Sequence, residues 1–375
     1  MRSPNIRYLP AVDHLRAYAA LLIVFYHGLH LFSYRLRFGR DLDMENWLQP
    51  SNPLLAALAE GHTAVALFMV LSGFILTVGA LEGGVTWIGF IRNRLLRTYP
   101  LFLLMVFAGI ATAPQNFSFA AVAQTMLGLG NEAGAFVAPP FTSMLWTIAI
   151  EWQFYVIFPL LVAVLAKGWT RQVAGFIAVL LVLRLAAVIG GGNAREISYM
   201  QIFGRLDQFL LGMWAAWFWR TRPLSARAGG ALAALALVAV VFALWGFNAQ
   251  GGWPTTPGWK IVVPTIEGAL WAAFVLGYVA CANAASGGWS RVLARIGEVS
   301  YSIYLLHFVV IWSLLRLGFP HVFTGGFIVD ALLNTALVAL PITLAVSALS
   351  YTFVERPFLR LRGNYHRDAV PAASP

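Results

Sequence analysis

The sequence has few charged residues and almost no cysteine. Only 11% of its 375 residues are Asp, Glu, Lys or Arg, whereas soluble domains carry roughly 25%. Its single cysteine, Cys281, excludes an internal disulfide, and no group of Cys and His residues has the spacing of a metal site. We therefore expect no bound metal and no ordinary soluble domain.

Apolar residues take the place of the missing charge. Hydrophobic residues make up 60% of the chain, and the mean hydropathy is +0.75. Apolar runs of about 20 residues predict membrane-spanning helices. Ten runs qualify as candidate spans: 15–33, 62–80, 99–114, 143–166, 173–190, 203–219, 229–248, 261–282, 298–316 and 327–353. The sequence thus predicts an all-α polytopic membrane protein with about ten transmembrane helices.

Two parts of this span prediction are open. The run 99–114 is short, and the long segment 115–142 contains Pro139 and Pro140. A re-entrant piece or an extra span in that segment would fit the pattern, so about nine to eleven spans are compatible with the sequence. In this topology the segments 34–61 and 115–142 lie on the same side of the membrane, and they are expected to shape a ligand site there.

The distribution of positive charge predicts the orientation. With ten spans, the termini and loops on one side carry sixteen Lys and Arg residues, against six on the other. The positive-inside rule then places both termini in the cytoplasm, as expected for a multi-pass protein of the inner or plasma membrane. This bias also explains the net charge of +10, so we expect a lipid bilayer and no nucleic acid as partner.

The domain prediction is simple. Residues 1–362 form a single transmembrane domain, and residues 363–375 form a short, disordered cytoplasmic tail. The sequence indicates no oligomeric state.

The first span carries an arginine and a histidine. In "LRAYAALLIVFYHG", Arg16 and His27 are eleven residues apart, which is roughly three helical turns, or about 16 Å along one face. Ionisable groups within spans are costly and are functional candidates. A buried neutral imidazole is a suitable proton acceptor near neutral pH, so His27 is the main catalytic candidate.

Two arginines follow the second span. In "FIRNRLLRTYPLF", Arg94 and Arg97 lie three apart on a short cytoplasmic segment, with Pro100 expected to start the next helix. Two guanidinium groups on one face suit a phosphate-bearing ligand. Ordinary positive-inside charge is the alternative. Before them, Ser72 in "LFMVLSGFIL" either packs helices closely or contributes to a site.

Further candidates lie in later spans. Glu151 in "LWTIAIEWQFY" is a carboxylate among aromatic residues, able to position a hydroxyl or orient a histidine. A structural hydrogen bond to a neighbouring helix is the alternative. His307 follows "SYSIYLL" and is either part of a site or a hydrogen-bonded helix contact. Candidate substrate-binding residues are Trp146, Tyr155, His62 and Asp207. His62 is alternatively a helix cap, and Asp207 is alternatively paired with Arg205.

These motifs together resemble the acyltransferase-3 family of integral membrane O-acyltransferases, over about residues 8–360. The resemblance rests on Arg16 and His27, "FMVLSGF", Arg94 and Arg97 before Pro100, "LWTIAIEWQFY", "SYSIYLLH" and the terminal "VERPF". It implies about ten helices and transfer of an acyl group, often acetyl from acetyl-CoA, to a hydroxyl of a glycan or other acceptor. It also implies that Arg16 and His27 belong to the active site. Many members carry an extra periplasmic esterase-like domain. We see none in this sequence, so we expect a stand-alone enzyme that hands the acyl group directly to its acceptor.

The resulting hypothesis assigns a role to each candidate. Acetyl-CoA or another acyl-CoA would bind through Arg94, Arg97 and Arg16, with Ser72 and His307 also near the donor. His27 would act as general base or as acyl carrier, and Glu151 would orient His27 or the glycan or lipid-linked acceptor. The rival hypothesis is a transporter or flippase of a glycan or lipid precursor, which would more often show inverted repeats.

Overall fold

The protein is described here by a computed structural model that covers residues 5–6, 8–282 and 287–366, and within these ranges it is all-α. The α-helices in chain order are α1 (Pro10–Phe38), α2 (Pro53–Ala59), α3 (Thr63–Gly83), α4 (Trp87–Thr112), α5 (Phe119–Gln124), α6 (Leu145–Leu165), α7 (Trp169–Ile189), α8 (Ala194–Met200), α9 (Ile202–Thr221), α10 (Ala226–Ala249), α11 (Val263–Ala282), α12 (Gly288–Glu298), α13 (Ser300–Arg316), α14 (Phe327–Asn334), α15 (Leu340–Ser350) and α16 (Arg356–Leu359). Short 3₁₀ helices are Pro114–Asn116 and Gly258–Val262. Short π helices are Thr125–Leu129, Thr335–Ala339 and Tyr351–Glu355.

The membrane-spanning elements agree with the predicted fold class. Within the described residues, eight helices are long and apolar enough to cross a membrane, and α12 with α13, bent by 69°, makes a ninth candidate. The predicted run 203–219 corresponds to α9, which is 20 residues long. Its polar residues Arg205, Asp207 and Gln208 lower its hydropathy, so it is not among the nine. An all-α, multi-pass membrane architecture is therefore confirmed, with eight to nine candidate spans instead of ten.

The segment 115–142 does not form an extra span. Its apolar helix, Phe119–Leu129, is too short to cross a bilayer. The hydroxyl of Tyr99 donates to the carbonyl of Met126 at 2.6 Å, and Gln153 Nε2 donates to the carbonyl of Gly128 at 3.0 Å. These bonds attach the short helix to α4 and α6.

Helix α4 corrects one prediction. It runs unbroken from Trp87 to Thr112 with Pro100 inside it, so Pro100 does not start a helix. Proline is tolerated within membrane helices because neighbouring groups satisfy the freed backbone atoms. Consequently Arg94 and Arg97 lie on the first half of a membrane helix rather than on a separate segment.

Two glycines allow core helices to approach at backbone distance. A Cβ atom on Gly73 of α3 would collide with the carbonyl oxygen of Phe209 on α9, and one on Gly297 of α12 would collide with that of Asp13 on α1. Small residues serve this purpose at helix contacts in membranes. The second contact brings α12 against the start of α1, where Arg16 lies.

The two ends of the described chain meet on one face of the bundle. Asn5 Nδ2 donates to the carbonyl of Gly363 at 2.9 Å, and the backbone N–H of Tyr365 donates to Asn5 Oδ1 at 2.7 Å. Asn93 Nδ2 donates to the same carbonyl at 2.7 Å, which attaches both ends to α4. Residues 363–366 are therefore packed, whereas residues 367–375 of the predicted tail lie outside the described residues.

Candidate active site

Three cavities follow one another along α1. The basic cavity has a volume of about 440 Å³, the central cavity about 110 Å³ and the aromatic cavity about 400 Å³. The basic and central cavities share Arg16, Arg94 and Arg97 as lining residues. The central and aromatic cavities share Val65 and Tyr304. Arg16 thus lies toward one end of this series, and His27 lines the aromatic cavity at the other.

The basic cavity gathers positive charge from four parts of the chain. Six arginines line it, against two carboxylates: Arg16, Arg94, Arg97, Arg291, Arg295 and Arg362, with Asp13 and Glu298. Burial, followed by the positive charges of Arg97 and Arg94, lowers the pKa of Arg362 to about 10. Like charges at this density favour an anionic ligand that neutralises them.

Three of these six arginines were not predicted from the sequence as site residues. Arg291 and Arg295 lie four residues apart on α12, so they share one helix face. Arg362 follows α16. The segment "GWSRVLARIGE" has charged and apolar residues at helical spacing, which indicates an amphipathic helix. The local sequence does not indicate that this helix packs beside Arg16.

Arg94 and Arg97 are held by different contacts. Arg97 Nη1 lies 3.5 Å from Glu355 Oε2, and its guanidinium lies 5.8 Å from the centre of the Tyr301 ring. Arg94 is buried, with its guanidinium 5.7 Å from the ring centre of Tyr155. Among the described residues no group bonds to Arg94 Nε. An unsatisfied buried donor of this kind is expected where a ligand supplies the acceptor.

The central cavity is narrow and has polar walls. Ser72 donates to Glu151 Oε1 at 2.8 Å, so the "SGF" motif contributes both a polar contact and, through Gly73, a close helix crossing. The hydroxyls of Thr147 and Tyr304 lie 2.9 Å apart. Because Tyr304 also lines the aromatic cavity, this pair marks the junction between the two.

The aromatic cavity has a different lining. Its aromatic residues are Tyr26, Trp47, Trp146, Trp253, Tyr304, Phe308 and Trp312, and its histidines are His27, His30 and His62. Trp47 comes from the segment 34–61, whereas no residue of 115–142 lines any of the three cavities formed by the described residues. Aromatic faces of this kind bind apolar molecules and the apolar faces of sugars.

His27 has a histidine for a neighbour. His27 Nδ1 lies 3.0 Å from His307 Nε2 and 3.2 Å from the carbonyl oxygen of Ile23. Tyr26 and Phe308 contact the His27 ring edge-to-face, with ring centres 4.7 and 5.2 Å away. Within the described ranges His27 Nε2 has no hydrogen-bond partner. The ring is fixed in place and keeps one nitrogen available.

Glu60 bonds to residues of the aromatic wall, and His62 lines the aromatic cavity itself. Glu60 accepts hydrogen bonds from Trp47 Nε1 at 2.9 Å, Asn248 Nδ2 at 2.6 Å and the Trp253 backbone at 3.2 Å. Burial raises the pKa of Glu60 to about 7, although these bonds oppose the shift. His62 Nε2 is buried without a hydrogen-bond partner among the described residues, so this wall offers a polar atom to a ligand.

Comparison of the sequence with known protein families identifies the family of this chain. A family model for an acyltransferase domain, acyltransferase 3, matches residues 9–355. The chain belongs to the acyltransferase-3 family. This membership confirms the resemblance drawn from the motifs and makes the protein a membrane acyltransferase instead of the rival transporter or flippase.

Individual relatives of this acyltransferase are distant. It is 26% identical over 403 residues to acyltransferase MdmB of Streptomyces mycarofaciens, with 99% of this chain and 97% of that protein covered. It is 24% identical over 410 residues to O-acetyltransferase OatA of Staphylococcus aureus (strain NCTC 8325 / PS 47), with 97% of this chain covered. A provisionally named O-acetyltransferase of Staphylococcus aureus (strain COL) is 25% identical over 397 residues, covering 94% of this chain.

The extent of these matches differs. This acyltransferase spans 58% of the length of both Staphylococcus aureus relatives. No solved structure matches the chain.

Most predicted site residues of the acyltransferase lie along the three cavities. Arg16, Arg94 and Arg97 line the basic and central ones, and the central cavity adds Ser72, Glu151 and Tyr155. His27, His62 and Trp146 line the aromatic one. Within the described ranges no group of three or more His, Cys, Asp and Glu side chains is placed to hold a metal ion.

Two predicted contacts are not found among the described residues. Glu151 bonds to Ser72 and the His27 ring bonds to His307, and no hydrogen bond joins Glu151 to His27 within the described ranges. His307 is fully buried beside His27, at the opposite end of the cavity series from the arginines that it was grouped with in the sequence.

Asp207 lines none of the three cavities that the described residues form. Its Oδ2 atom is 2.9 Å from Arg184 Nη2, and Thr265 donates to it at 2.5 Å. The alternative pairing of Asp207 with Arg205 is wrong, because Arg205 instead reaches Glu267 at 4.0 Å. Sequence proximity suggested the pair, and packing against other helices supplied different partners.

Proposed function

We propose that this acyltransferase moves an acyl group, acetyl in the simplest case, from cytoplasmic acyl-CoA to a hydroxyl of a cell-surface glycan or lipid-linked acceptor. The observation that carries the proposal is the series of three cavities, with arginines at one end and His27 at the other. Donor and acceptor would enter from opposite ends and meet where the central and aromatic cavities join.

The basic cavity supports a coenzyme A donor. Its six arginines exceed its two carboxylates, and coenzyme A carries several phosphate groups that such a cluster would bind through charge-assisted hydrogen bonds. Arg94 and Arg97, with Arg16, are the donor residues expected from the sequence, and Arg291, Arg295 and Arg362 extend the set. We propose that this end faces the cytoplasm.

The volumes of the cavities suit the shape of the donor. A nucleotide needs a wide site, and the basic cavity measures about 440 Å³. The pantetheine arm is a thin chain, which suits the central cavity of about 110 Å³. Arg16 and His27 are separated by about 16 Å along α1, so an extended arm would carry the thioester toward His27. Ser72 and Glu151 would contact the arm on its way.

His27 is proposed as the general base. Nε2 removes the proton of the acceptor hydroxyl as the hydroxyl oxygen attacks the thioester carbonyl. A carbon–oxygen bond forms, the carbon–sulfur bond breaks, and the imidazolium returns the proton to the leaving thiolate, giving an ester and free coenzyme A. Such proton transfer contributes roughly 10²- to 10⁴-fold to the rate. We propose direct attack, which requires both substrates to be bound together, instead of an acyl-histidine intermediate.

The acceptor is proposed to bind in the aromatic cavity. Trp47, Trp146 and Trp253 offer flat apolar faces, and the unpaired Nε2 of His62 offers a hydrogen bond. These features suit an uncharged hydroxyl-bearing group with an apolar face, such as a sugar ring.

The experiment uses inverted membrane vesicles containing the protein, with acetyl-CoA labelled in the acetyl group supplied outside. We expect label in the extracted glycan and lipid fraction, in a form that hydroxylamine releases, since hydroxylamine cleaves esters. Right-side-out vesicles should incorporate little, because the basic cavity would then face the interior. Equal incorporation in both orientations, or none from inverted vesicles with either acetyl-CoA or succinyl-CoA, would contradict the proposal.

A further inference from the structure

The contact between His27 and His307 determines where the protons of both rings lie. His307 Nδ1 is 3.0 Å from the carbonyl oxygen of Ile303. A carbonyl accepts hydrogen bonds and cannot donate, so this nitrogen carries a proton. In a neutral imidazole the other nitrogen is then an acceptor, which makes His307 Nε2 an acceptor.

The same reasoning continues to His27. Its Nδ1 faces two acceptors, His307 Nε2 at 3.0 Å and the carbonyl of Ile23 at 3.2 Å. Two acceptors stabilise a proton on the atom between them, so His27 Nδ1 is a donor. His27 Nε2 therefore holds a lone pair, and it has no partner among the described residues. These partners assign the tautomer of each ring.

We propose that His307 is a positioning residue that fixes His27 in the tautomer with Nδ1 protonated, leaving Nε2 as the proton acceptor. The inference rests on the proposed role of His27 as general base. His307 is fully buried and lines none of the three cavities formed by the described residues, so it acts through His27 and does not touch the substrates.

The surroundings of His307 suit this role. Its ring centre lies 5.0 Å from that of His27 and 5.9 Å from that of Tyr304. Gly28, next to His27, has no room for a Cβ atom because Thr335 lies against it. The backbone beside His27 is therefore held closely. When His27 accepts a proton on Nε2, its Nδ1–H still donates to His307, which stabilises the charged ring.

The comparison variants are His307→Leu and His307→Gln. Leucine has a similar size and accepts no hydrogen bond, whereas the glutamine amide oxygen is able to accept one from His27 Nδ1–H. His14→Leu is the matched control, because His14 is a buried α1 histidine bonded to Ser290 and lines none of the three cavities formed by the described residues.

The first readout is the nitrogen-15 spectrum of full-length protein with labelled histidine, in detergent. His27 signals are assigned by their loss in His27→Ala. Wild type and His14→Leu should show a proton on His27 Nδ1 and none on Nε2. His307→Leu should show the Nε2-protonated form as well, and His307→Gln should restore the wild-type pattern. A wild-type His27 protonated on Nε2 would overturn the proposal even if every variant failed to fold.

The second readout is the initial rate of ester formation in inverted vesicles. At saturating acetyl-CoA we expect His307→Leu to reduce this rate roughly 10- to 100-fold, the loss expected for one hydrogen bond to a charged group. Acetyl-CoA binding should not change, and His307→Gln should recover most of the rate. An undiminished rate in His307→Leu would also contradict the proposal. If His27→Ala retained turnover, the base assignment would fail instead, and the spectra would still report the tautomer.

Discussion

The two end cavities of this acyltransferase are similar in size and opposite in chemistry. The basic cavity of about 440 Å³ is lined by six arginines, and the aromatic cavity of about 400 Å³ by seven aromatic side chains. One suits a polyanion, and the other suits an uncharged molecule with an apolar face. The difference gives one helix bundle two chemically unlike cavities, with a narrow central cavity between them.

The largest expected effect tests whether the two ends act independently. We expect His27→Ala to reduce ester formation roughly 10²- to 10⁴-fold, since it removes the proton acceptor. Acetyl-CoA binding, measured by calorimetry on purified protein, should stay at the wild-type value because His27 lies in the other cavity. His14→Ala serves as the control for loss of a buried histidine on α1. Near-normal turnover of His27→Ala would exclude this residue as the base.

The next prediction tests the connection between the cavities. Val65 lines both the central and the aromatic cavity, so Val65→Phe should narrow their junction. Misplacing the thioester by about 1 Å can cost roughly 10²-fold in rate, and we expect a loss of this order with acetyl-CoA binding retained. Val65→Ala widens the same point and should remain far more active than Val65→Phe. Equal rates for the two variants would mean that the donor does not pass Val65.

A third prediction concerns the donor end. Arg94→Ala with Arg97→Ala should raise the KM for acetyl-CoA roughly 10- to 100-fold, because charge-assisted hydrogen bonds to phosphate are lost. The wild-type KM should also rise with salt, and more steeply than that of the double variant. Arg356→Ala is the control, since Arg356 is an exposed arginine outside the basic cavity. An unchanged KM in the double variant would remove both arginines from the donor site.

The smallest expected effect is a pH dependence at the aromatic end. The pKa of Glu60 is about 7 in the folded protein, above its ordinary value of 4.5. The folded state thus binds this proton more tightly than the unfolded state, and the free energy of unfolding falls as pH rises from 4.5 to 7. Glu60→Gln cannot titrate, so its Tm in detergent should fall less across that range. Glu45 is exposed, so Glu45→Gln should show the same dependence of Tm on pH as the wild type. The same dependence in all three proteins would contradict the raised pKa of Glu60.

The sequence predicted the membrane architecture well. Hydropathy and helical period are local properties, so the ten apolar runs each coincide with a helix, or with a bent or interrupted one. It also singled out Arg16 and His27, because ionisable groups in apolar helices are conspicuous. It singled out Arg94 and Arg97 because two guanidinium groups three residues apart suit a phosphate group. It was wrong about Pro100, since a proline signals a helix start and the interior of a membrane helix equally well.

The interaction partners of the charged side chains could not be predicted from the local sequence. Asp207 was paired with Arg205 because they are close in the sequence, yet its partner is Arg184 on α7. Glu355 was part of a terminal motif, yet it bonds to Ser302 and contacts Arg97. Each of these contacts joins residues of different helices, and nothing in the local pattern reports how helices are arranged around one another.

The sequence by itself determined that this is an all-α membrane protein with an arginine and a histidine on its first helix, because apolar length and helical spacing are written in consecutive residues. Only the tertiary structure decided that His307, 280 residues away, lies against His27, and that α12 brings Arg291 and Arg295 beside Arg16. The physical reason is that close contacts between helices depend on backbone approach at positions such as Gly297, which the packing of the whole bundle sets.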